Sequence, residues 1–73
     1  MTSRYLIIGA TGAIGHAFAS ALQDAGLHAT LLVRDRKKAI ALFDNTIGFT
    51  IVEGDVNDTA LLNSIAEGVD FIF

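Results

Sequence analysis

The sequence predicts an α/β protein whose parallel sheet is doubly wound, with helices on both faces in three layers. Two observations carry this prediction. Short, continuously apolar runs recur along the chain, as in strands that are buried on both faces. Segments whose apolar residues have helical spacing stand between these runs, and the connections are short. Strands that alternate with helices in this way form parallel sheets through right-handed crossovers.

The first two strands flank the first helix. Residues 4–8 form an apolar run that predicts strand one, and residues 28–33 predict strand two. Residues 12–25 between them have a helical pattern, with Gly26 as a C-terminal stop. The apolar positions of this helix predict a single stripe that packs closely on the sheet, made of Ile14, Ala17, Phe18, Ala21, Leu22 and Ala25.

The rest of the chain continues the alternation. A short helix follows the charged residues 34–38, residues 49–53 predict a third strand, and residues 69–73 start a fourth. A third helix lies between the last two strands, with Asn57 or Asp58 as its N-cap. The strand order expected for this arrangement is 3-2-1-4.

The fourth strand bears on how much of a domain is present. A doubly wound domain commonly has about six strands, and this sequence supplies four. Phe71 and Phe73 stand on the last strand with nothing beyond them, and an apolar unpaired edge favours aggregation. We therefore expect residues 1–73 to be the N-terminal part of one longer domain, truncated after the fourth strand. The alternative is a self-sufficient small domain that self-associates through this strand.

Composition excludes several classes of function. The chain of 73 residues is 52% hydrophobic and carries a net charge of −3, so it has no basic footprint for nucleic acid. No apolar run approaches the ~20 residues that cross a membrane, and Met1–Arg4 leaves no room for a signal peptide. There is no cysteine, and no pair of residues is spaced as metal ligands. We expect a cytoplasmic protein with neither a metal nor a membrane partner.

The glycine-rich loop after the first strand is the stretch that carries chemistry. A strand before it and a helix after it place backbone N–H groups in front of an anionic ligand. Gly9 permits the tight turn, Gly12 lets the backbone approach a pyrophosphate, and Gly15 lets the helix pack on the strand. The loop predicts a Rossmann-type dinucleotide site, and the alternative is a glycine turn without a ligand. Its residues are Gly9, Ala10, Thr11, Gly12, Ala13, Ile14 and Gly15.

The end of the second strand bears on the choice between NAD and NADP. Arg34 stands there, Asp35 follows, and Arg36, Lys37 and Lys38 add positive charge. An acidic residue at this point holds the ribose 2′-hydroxyl of NAD, whereas a nearby arginine accommodates the 2′-phosphate of NADP. A charge-assisted hydrogen bond contributes about 1.5–3 kcal/mol, so we expect NADP(H) to be preferred. NAD(H) stays open through Asp35, and a solvated helix start is the alternative to any phosphate site.

The loop after the third strand is the second candidate contact with a nucleotide. Asp55 and Val56 stand at the carboxyl end of the sheet, within reach of an adenine. Asp55 would accept a hydrogen bond from the adenine amino group, and Val56 would pack on the ring. The alternative is that Asp55 only shapes a turn.

A catalytic constellation is missing from the sequence. Tyr5 is the only tyrosine and lies within the first strand. His16, in the first turn of a helix, is predicted to be a partly exposed helix residue and not a base, and His28, at the start of a strand, is predicted to be structural. We expect the acid–base group of any reaction to lie outside these residues.

Together these motifs resemble the NmrA-like NAD(P)H-binding group of atypical short-chain dehydrogenases/reductases. The matching segments are residues 9–15, 32–35, 53–58 and 68–70, in the order and spacing of that family. The resemblance implies that the glycine loop binds pyrophosphate, that the arginine after strand two binds the NADP phosphate, and that the Asp-Val pair contacts adenine. It also implies an active-site Tyr-x-x-x-Lys, where the family has one, in a second half that this sequence does not contain.

Three functions are compatible with the sequence. The first is an NADP-preferring oxidoreductase or epimerase whose catalytic residues lie outside residues 1–73, acting on an unknown small-molecule substrate. The second is a non-catalytic sensor of the NADP(H) pool, as the resemblance implies for some relatives. The third is a truncated fragment that keeps the fold but does not bind the cofactor, because half of the pocket is missing.

Overall fold

The computed structural model describes residues 3–9, 12–43 and 45–73. Strands and helices alternate along the chain, as the sequence predicts. The elements are β1 (Tyr5–Ile8), α1 (Ala13–Asp24), β2 (Ala29–Val33), α2 (Arg36–Leu42), β3 (Phe49–Glu53), α3 (Thr59–Ala66) and β4 (Phe71–Ile72).

The strands form one sheet in the order β3-β2-β1-β4, and every pair is parallel. The register aligns Tyr5 with Ala29 on one side of β1 and with Phe71 on the other. The predicted order 3-2-1-4 is therefore confirmed. Because the strands are parallel, all of their carboxyl ends meet at one edge of the sheet, where the loops after β1, β2 and β3 lie together.

The two faces of the sheet are covered by different helices. Ile7, Leu31 and Val33 point to one face, where they form the core with residues of α1 and α2. Side chains alternate along a strand, so Leu6 and Leu32 point to the other face. Both are buried there, on the side of α3. The predicted three-layer arrangement is confirmed.

The exposed flank of α1 corrects the predicted apolar stripe. Ile14 was expected to pack on the sheet, but it is 88% exposed, and the buried positions of α1 are Ala19 and Leu22. Successive residues of a helix are rotated by about 100° around its axis. Four residues of the predicted stripe therefore lie to one side of Ala19 and Leu22 and are exposed: Ile14, Ala17, Ala21 and Ala25. The predicted stripe combined two faces of the helix, and only one of them meets the sheet.

The fourth strand is shorter than residues 69–73. Asp70 and Phe71 both donate their backbone N–H to the carbonyl of Arg4, at 2.9 and 3.1 Å, and the Asp70 carboxylate accepts the Arg4 N–H at 2.8 Å. Asp70 is therefore bonded to Arg4 just before the regular strand pairing begins at Phe71. The side chains of Phe71 and Phe73 lie against Tyr5 and Phe18, with ring centroids 5.4 and 4.1 Å apart.

The predicted helix ends are confirmed at two positions. Asp58 caps α3, because its Oδ1 accepts the N–H of Leu61 at 3.1 Å. Gly26 has φ +76°, and the N–H of Leu27 reaches back to the carbonyl of Leu22 at 2.9 Å, which is the pattern of a helix closed by a left-handed glycine.

None of the helices in the described ranges is long and apolar enough to cross a membrane.

Candidate functional site

A cleft of about 420 Å³ opens at the carboxyl edge of the sheet. It lies between the ends of β1 and β2 and the loop after β3. Its wall is mostly apolar, and its charged groups come from the segment that joins β2 to α2. The lining residues are Ile8, Gly9, Leu32, Val33, Arg34, Asp35, Lys38, Gly54 and Val56.

The glycine loop forms the turn between β1 and α1. Gly9 has φ +79°, a conformation that side chains disfavour, and its carbonyl accepts the N–H of Gly12 at 3.0 Å. Gly12 is the N-cap of α1, and this helix start has no side-chain cap and no acidic residue in its first turn. The start of α1 is therefore left without the anionic side chain that closes the other two helices.

The backbone conformation requires a glycine at position 9 but not at position 12. The φ of −76° at Gly12 suits any residue, and among the described residues an added Cβ would meet only the Gly9 carbonyl, at 3.4 Å. The described backbone therefore tolerates a side chain at position 12. Gly12 is exposed, so a side chain at this position would occupy the solvent-filled space in front of the helix start.

Two of the cations after β2 line the cleft, and two do not. Arg34 and Lys38 lie four residues apart and both line it. Arg36 and Lys37 are exposed on the first turn of α2, outside the lining. Helix geometry separates Lys38 from Arg36 and Lys37, because residues one or two positions apart along a helix point in different directions.

The carboxylates near these cations bind the start of α2. The Asp35 Oδ1 atom accepts the backbone N–H of Lys38 at 3.1 Å, which makes Asp35 the N-cap. The Glu53 Oε2 atom accepts the N–H of Arg36 at 3.2 Å. Helix N-termini favour negative charge, so both carboxylates stabilise α2 from its first turn. Asp35 also borders the cleft, whereas Glu53 does not.

The loop after β3 separates the two residues predicted to meet an adenine. Val56 lines the cleft. Asp55 does not, and its carboxylate accepts the N–H of Asn57 at 2.8 Å while its carbonyl accepts that of Asp58 at 2.9 Å. Asp55 therefore shapes the turn that presents Val56 and leads into α3.

The predicted loop residues occupy different places. Gly9 lines the cleft, whereas Ala10 and Thr11 lie outside the described residues. Ala13 and Ile14 are exposed at the start of α1, next to Gly12, and Gly15 is half-buried.

Some residues of the cleft were not among the predicted sites. Lys38 was predicted only to add positive charge, whereas Arg36 and Lys37 were the predicted cofactor contacts. Its signal in the sequence is that it stands four residues after Arg34 and three after an N-capping Asp. Gly54 carried another, because a glycine directly after a strand marks a close approach. An added Cβ there would collide with the Leu61 side chain of α3. The apolar wall of Ile8, Leu32 and Val33 had been assigned only to strands.

The histidines and the tyrosine have structural partners. The His16 ring stacks on Phe43, and its Nε2 atom lies 2.9 Å from the carbonyl of Leu42. His28 lies 2.9 Å from the hydroxyl of Thr50. Tyr5 stacks on Phe71 within the sheet.

Comparison with known protein families identifies the family of the chain. The model of the NmrA-like family matches the chain over residues 1–73. The chain belongs to the NmrA-like family. This membership and the Rossmann-type fold together support an NAD(P)-binding domain of the oxidoreductase-like class.

Solved structures similar to this NmrA-like chain include two of the Bordetella bronchiseptica enzyme WbmG, one in complex with NAD and UDP and one in complex with NAD. Each has a TM-score of 0.75 and 21% sequence identity over 92% of this chain. At that identity the likeness establishes the shared fold. The chain spans 22% of the length of the WbmG chain. No curated protein matches by sequence.

Proposed function

We propose that this NmrA-like chain binds NADP(H) in the cleft at the carboxyl edge of its sheet, in preference to NAD(H). The observation that carries the proposal is the pair of cations, Arg34 and Lys38, that line the cleft after β2. The adenosine end of the cofactor would lie between β2 and the loop after β3, and the pyrophosphate would lie at Gly9 and Gly12. That WbmG binds NAD within the same fold supports a nicotinamide dinucleotide as the ligand.

The electrostatics of the cleft favour a phosphate at its β2 end. Arg34 and Lys38 contribute two positive charges, and Asp35 contributes one negative charge that is bonded to a backbone N–H of α2. An arginine and a lysine that reach one phosphate each form charge-assisted hydrogen bonds with it, and these are about twice as strong as neutral ones. The 2′-phosphate of NADP is the group that such a pair would select.

Asp35 is the residue on which an NAD preference would rest. Its Oδ1 atom is the N-cap acceptor of α2, which leaves the second carboxylate oxygen, Oδ2, to accept the ribose 2′-hydroxyl of NAD. Arg34 and Lys38 also line this part of the cleft, and their charge-assisted hydrogen bonds to a 2′-phosphate would be about twice as strong as neutral ones. We therefore place NAD(H) as the weaker ligand.

The adenine ring would pack on Val56, which is 42% exposed at the mouth of the cleft. The Asp55 carboxylate uses Oδ1 in its own turn, so only its second oxygen is available for the adenine amino group. We propose Val56 as the main contact and keep Asp55 as a weaker one. Arg36 and Lys37, which are exposed beside the cleft, would add only long-range attraction that salt screens.

We propose that residues 1–73 are the N-terminal part of a larger NAD(P)-binding domain and supply its cofactor half. The length of WbmG, of which this chain spans 22%, supports this. The whole protein would then be an oxidoreductase or epimerase, and its substrate contacts and catalytic residues would lie outside residues 1–73. A non-catalytic sensor of the NADP(H) pool is the second candidate, because it requires only the cofactor cleft that these residues line. Cytoplasmic location stays a prediction.

Lys38 and Lys37 offer a matched pair of variants. We expect Lys38→Ala to weaken NADPH about tenfold and NADH by less than about twofold, because one charge-assisted bond to the 2′-phosphate is lost. Lys37→Ala removes the same charge from the same helix but outside the cleft, so the affinity for NADPH should change by less than about twofold. Calorimetric titration measures both. Equal effects of the two variants would show that the lysines act only through long-range electrostatic attraction, and that Lys38 makes no specific bond to the 2′-phosphate.

A nuclear magnetic resonance titration of the full chain tests the placement. Addition of NADPH should shift the backbone amide signals of Gly9, Gly54 and Val56, which surround the cleft. The amides of Gln23 and Asn45, at the opposite end of α1, serve as internal controls and should stay unchanged. Shifts confined to the opposite end, or none at saturating cofactor, would refute the proposed site.

Self-association through β4 stays a prediction for the isolated chain. The backbone N–H of Phe71 bonds the carbonyl of Arg4, and that of Phe73 bonds the carbonyl of Leu6. The backbone groups of Ile72 between them therefore point outward, and its side chain is 55% exposed. An edge of this kind accepts either a further strand or a second copy. Sedimentation at several concentrations distinguishes a monomer from a dimer.

A further inference from the structure

Two polar side chains of α1 fasten the segment that runs from α2 to β3. His16 and Gln23 lie two turns apart and therefore share one face of the helix. The Gln23 Nε2 atom lies 2.9 to 3.0 Å from three acceptors, the Asn45 carbonyl, the Asn45 Oδ1 and the Ile47 carbonyl, which share its two N–H groups. His16 reaches the end of α2 itself, at Leu42.

The contact of His16 has a defined chemistry. Its Nε2 atom lies 2.9 Å from the Leu42 carbonyl, and a carbonyl only accepts, so Nε2 carries the proton. Leu42 is the last residue of α2, where carbonyls have no partner within the helix. The imidazole also stacks on Phe43, with centroids 4.5 Å apart and planes at 19°. His16 therefore fixes both the last carbonyl of α2 and the ring that follows it.

The position of α2 decides where Lys38 lies. This helix has only seven residues, and Ala39 is its one buried side chain. Asp35 and Glu53 hold its first turn through backbone N–H groups, and His16 holds its last residue. Lys38 lies one turn before Leu42, so a rotation or shift of the C-terminal end of α2 moves Lys38 relative to Arg34.

We propose that His16 is a positioning residue for recognition of the 2′-phosphate. By binding the Leu42 carbonyl it keeps α2 oriented so that Lys38 faces the cleft beside Arg34. His16 acts through α2 and does not contact the cofactor. This inference rests on the proposed function, and it adds that cofactor selectivity depends on a contact between α1 and α2 at a distance from the phosphate.

The test compares NADPH and NADH affinities by calorimetry of the full chain. His16→Phe keeps an aromatic ring for the stack and removes the donor. We expect the preference for NADPH over NADH to fall about three- to tenfold, the range set by one hydrogen bond, while NADH affinity changes by less than about twofold. His16→Gln restores a donor and should recover most of the preference.

A double mutant identifies the route of the effect. If His16 acts through Lys38, then His16→Phe should not change the preference further in a Lys38→Ala background. Persistence of the full effect in that background would overturn the proposal. Equal weakening of both cofactors by His16→Phe, or an unchanged preference, would overturn it as well.

Two controls separate positioning from loss of stability. Gln23→Ala removes the amide that bonds Asn45 and Ile47 from the same face of α1, and it should lower the melting temperature without changing the preference. His28→Phe removes the other histidine, which lies 2.9 Å from the Thr50 hydroxyl, and should leave the preference unchanged. If Gln23→Ala reduces the preference as much as His16→Phe, any loosening of this segment suffices and His16 has no special role. Wild-type chain that binds neither cofactor would refute the proposed function instead.

Discussion

Replacement of Gly12 by valine should weaken binding of NADPH and NADH alike by at least about 100-fold. A pyrophosphate at the start of α1 would bind backbone N–H groups, and each hydrogen bond to a charged group contributes about 1.5–3 kcal/mol. A branched side chain at position 12 fills the space in front of the helix and keeps the pyrophosphate away. Loss of two such bonds accounts for the expected change. Calorimetric titration with each cofactor measures it.

The structure indicates why this substitution separates binding from folding. Gly12 has φ −76°, and within the described part of the chain an added Cβ meets only the Gly9 carbonyl, at 3.4 Å, so the described backbone can stay in place. The same substitution at Gly9, with φ +79°, would strain the turn itself. We therefore expect Gly12→Val to retain the helical circular dichroism of the wild-type chain.

Ala17→Val is the matched control for Gly12→Val. Ala17 is exposed in the middle of α1, away from the helix start, and the substitution places similar bulk on the same helix. It should cost a few tenths of a kcal/mol in helix propensity and leave both affinities unchanged. Normal affinity in the Gly12→Val variant would show that no pyrophosphate approaches this residue.

Replacement of Arg34 by alanine should weaken NADPH about 10- to 100-fold and NADH by less than about twofold. Arg34 lines the cleft where β2 ends and is exposed, so its guanidinium is free to meet a 2′-phosphate. Loss of a charge-assisted bond of about 1.5–3 kcal/mol gives this range. NADH lacks the phosphate and should be nearly indifferent to the change.

Arg36→Ala is the control for Arg34→Ala. It removes the same charge two residues away, on α2 and outside the cleft, and leaves the backbone N–H that bonds Glu53 in place. We expect its NADPH affinity to stay within about twofold of the wild type. If Arg34→Ala weakened NADH as much as NADPH, the arginine would not read the 2′-phosphate, and the assignment of NADP would be wrong.

The sequence predicted the sheet well because each strand is a compact apolar run. Residues 49–53 were predicted as the third strand and form β3. The exposure of Ile14 was not predictable in the same way, because a pattern at helical spacing does not say which of two adjacent flanks meets the sheet. The fourth strand was overestimated because the hydrogen bonds of Asp70 with Arg4 join residues far apart in the chain.

The candidate site was predictable where a motif fixes position along the chain. Gly9 and Arg34 stand at the ends of strands, and parallel strands bring those ends to one edge. The choice of Lys38 over Lys37 depends on where α2 begins, which the capping bond of Asp35 decides. The contact of His16 with Leu42 requires two helices to pack, and no local pattern encodes it.

The measurement that tests the central claim most directly is calorimetric titration of the full chain with NADPH and, separately, with NADH. The chain has no tryptophan, so heat is a better signal than protein fluorescence. We predict that both cofactors bind and that NADPH binds at least about tenfold more tightly, as one charge-assisted bond would give. Equal affinities, or tighter binding of NADH, would contradict the role of Arg34 and Lys38, and binding of neither would contradict the proposed function of the cleft.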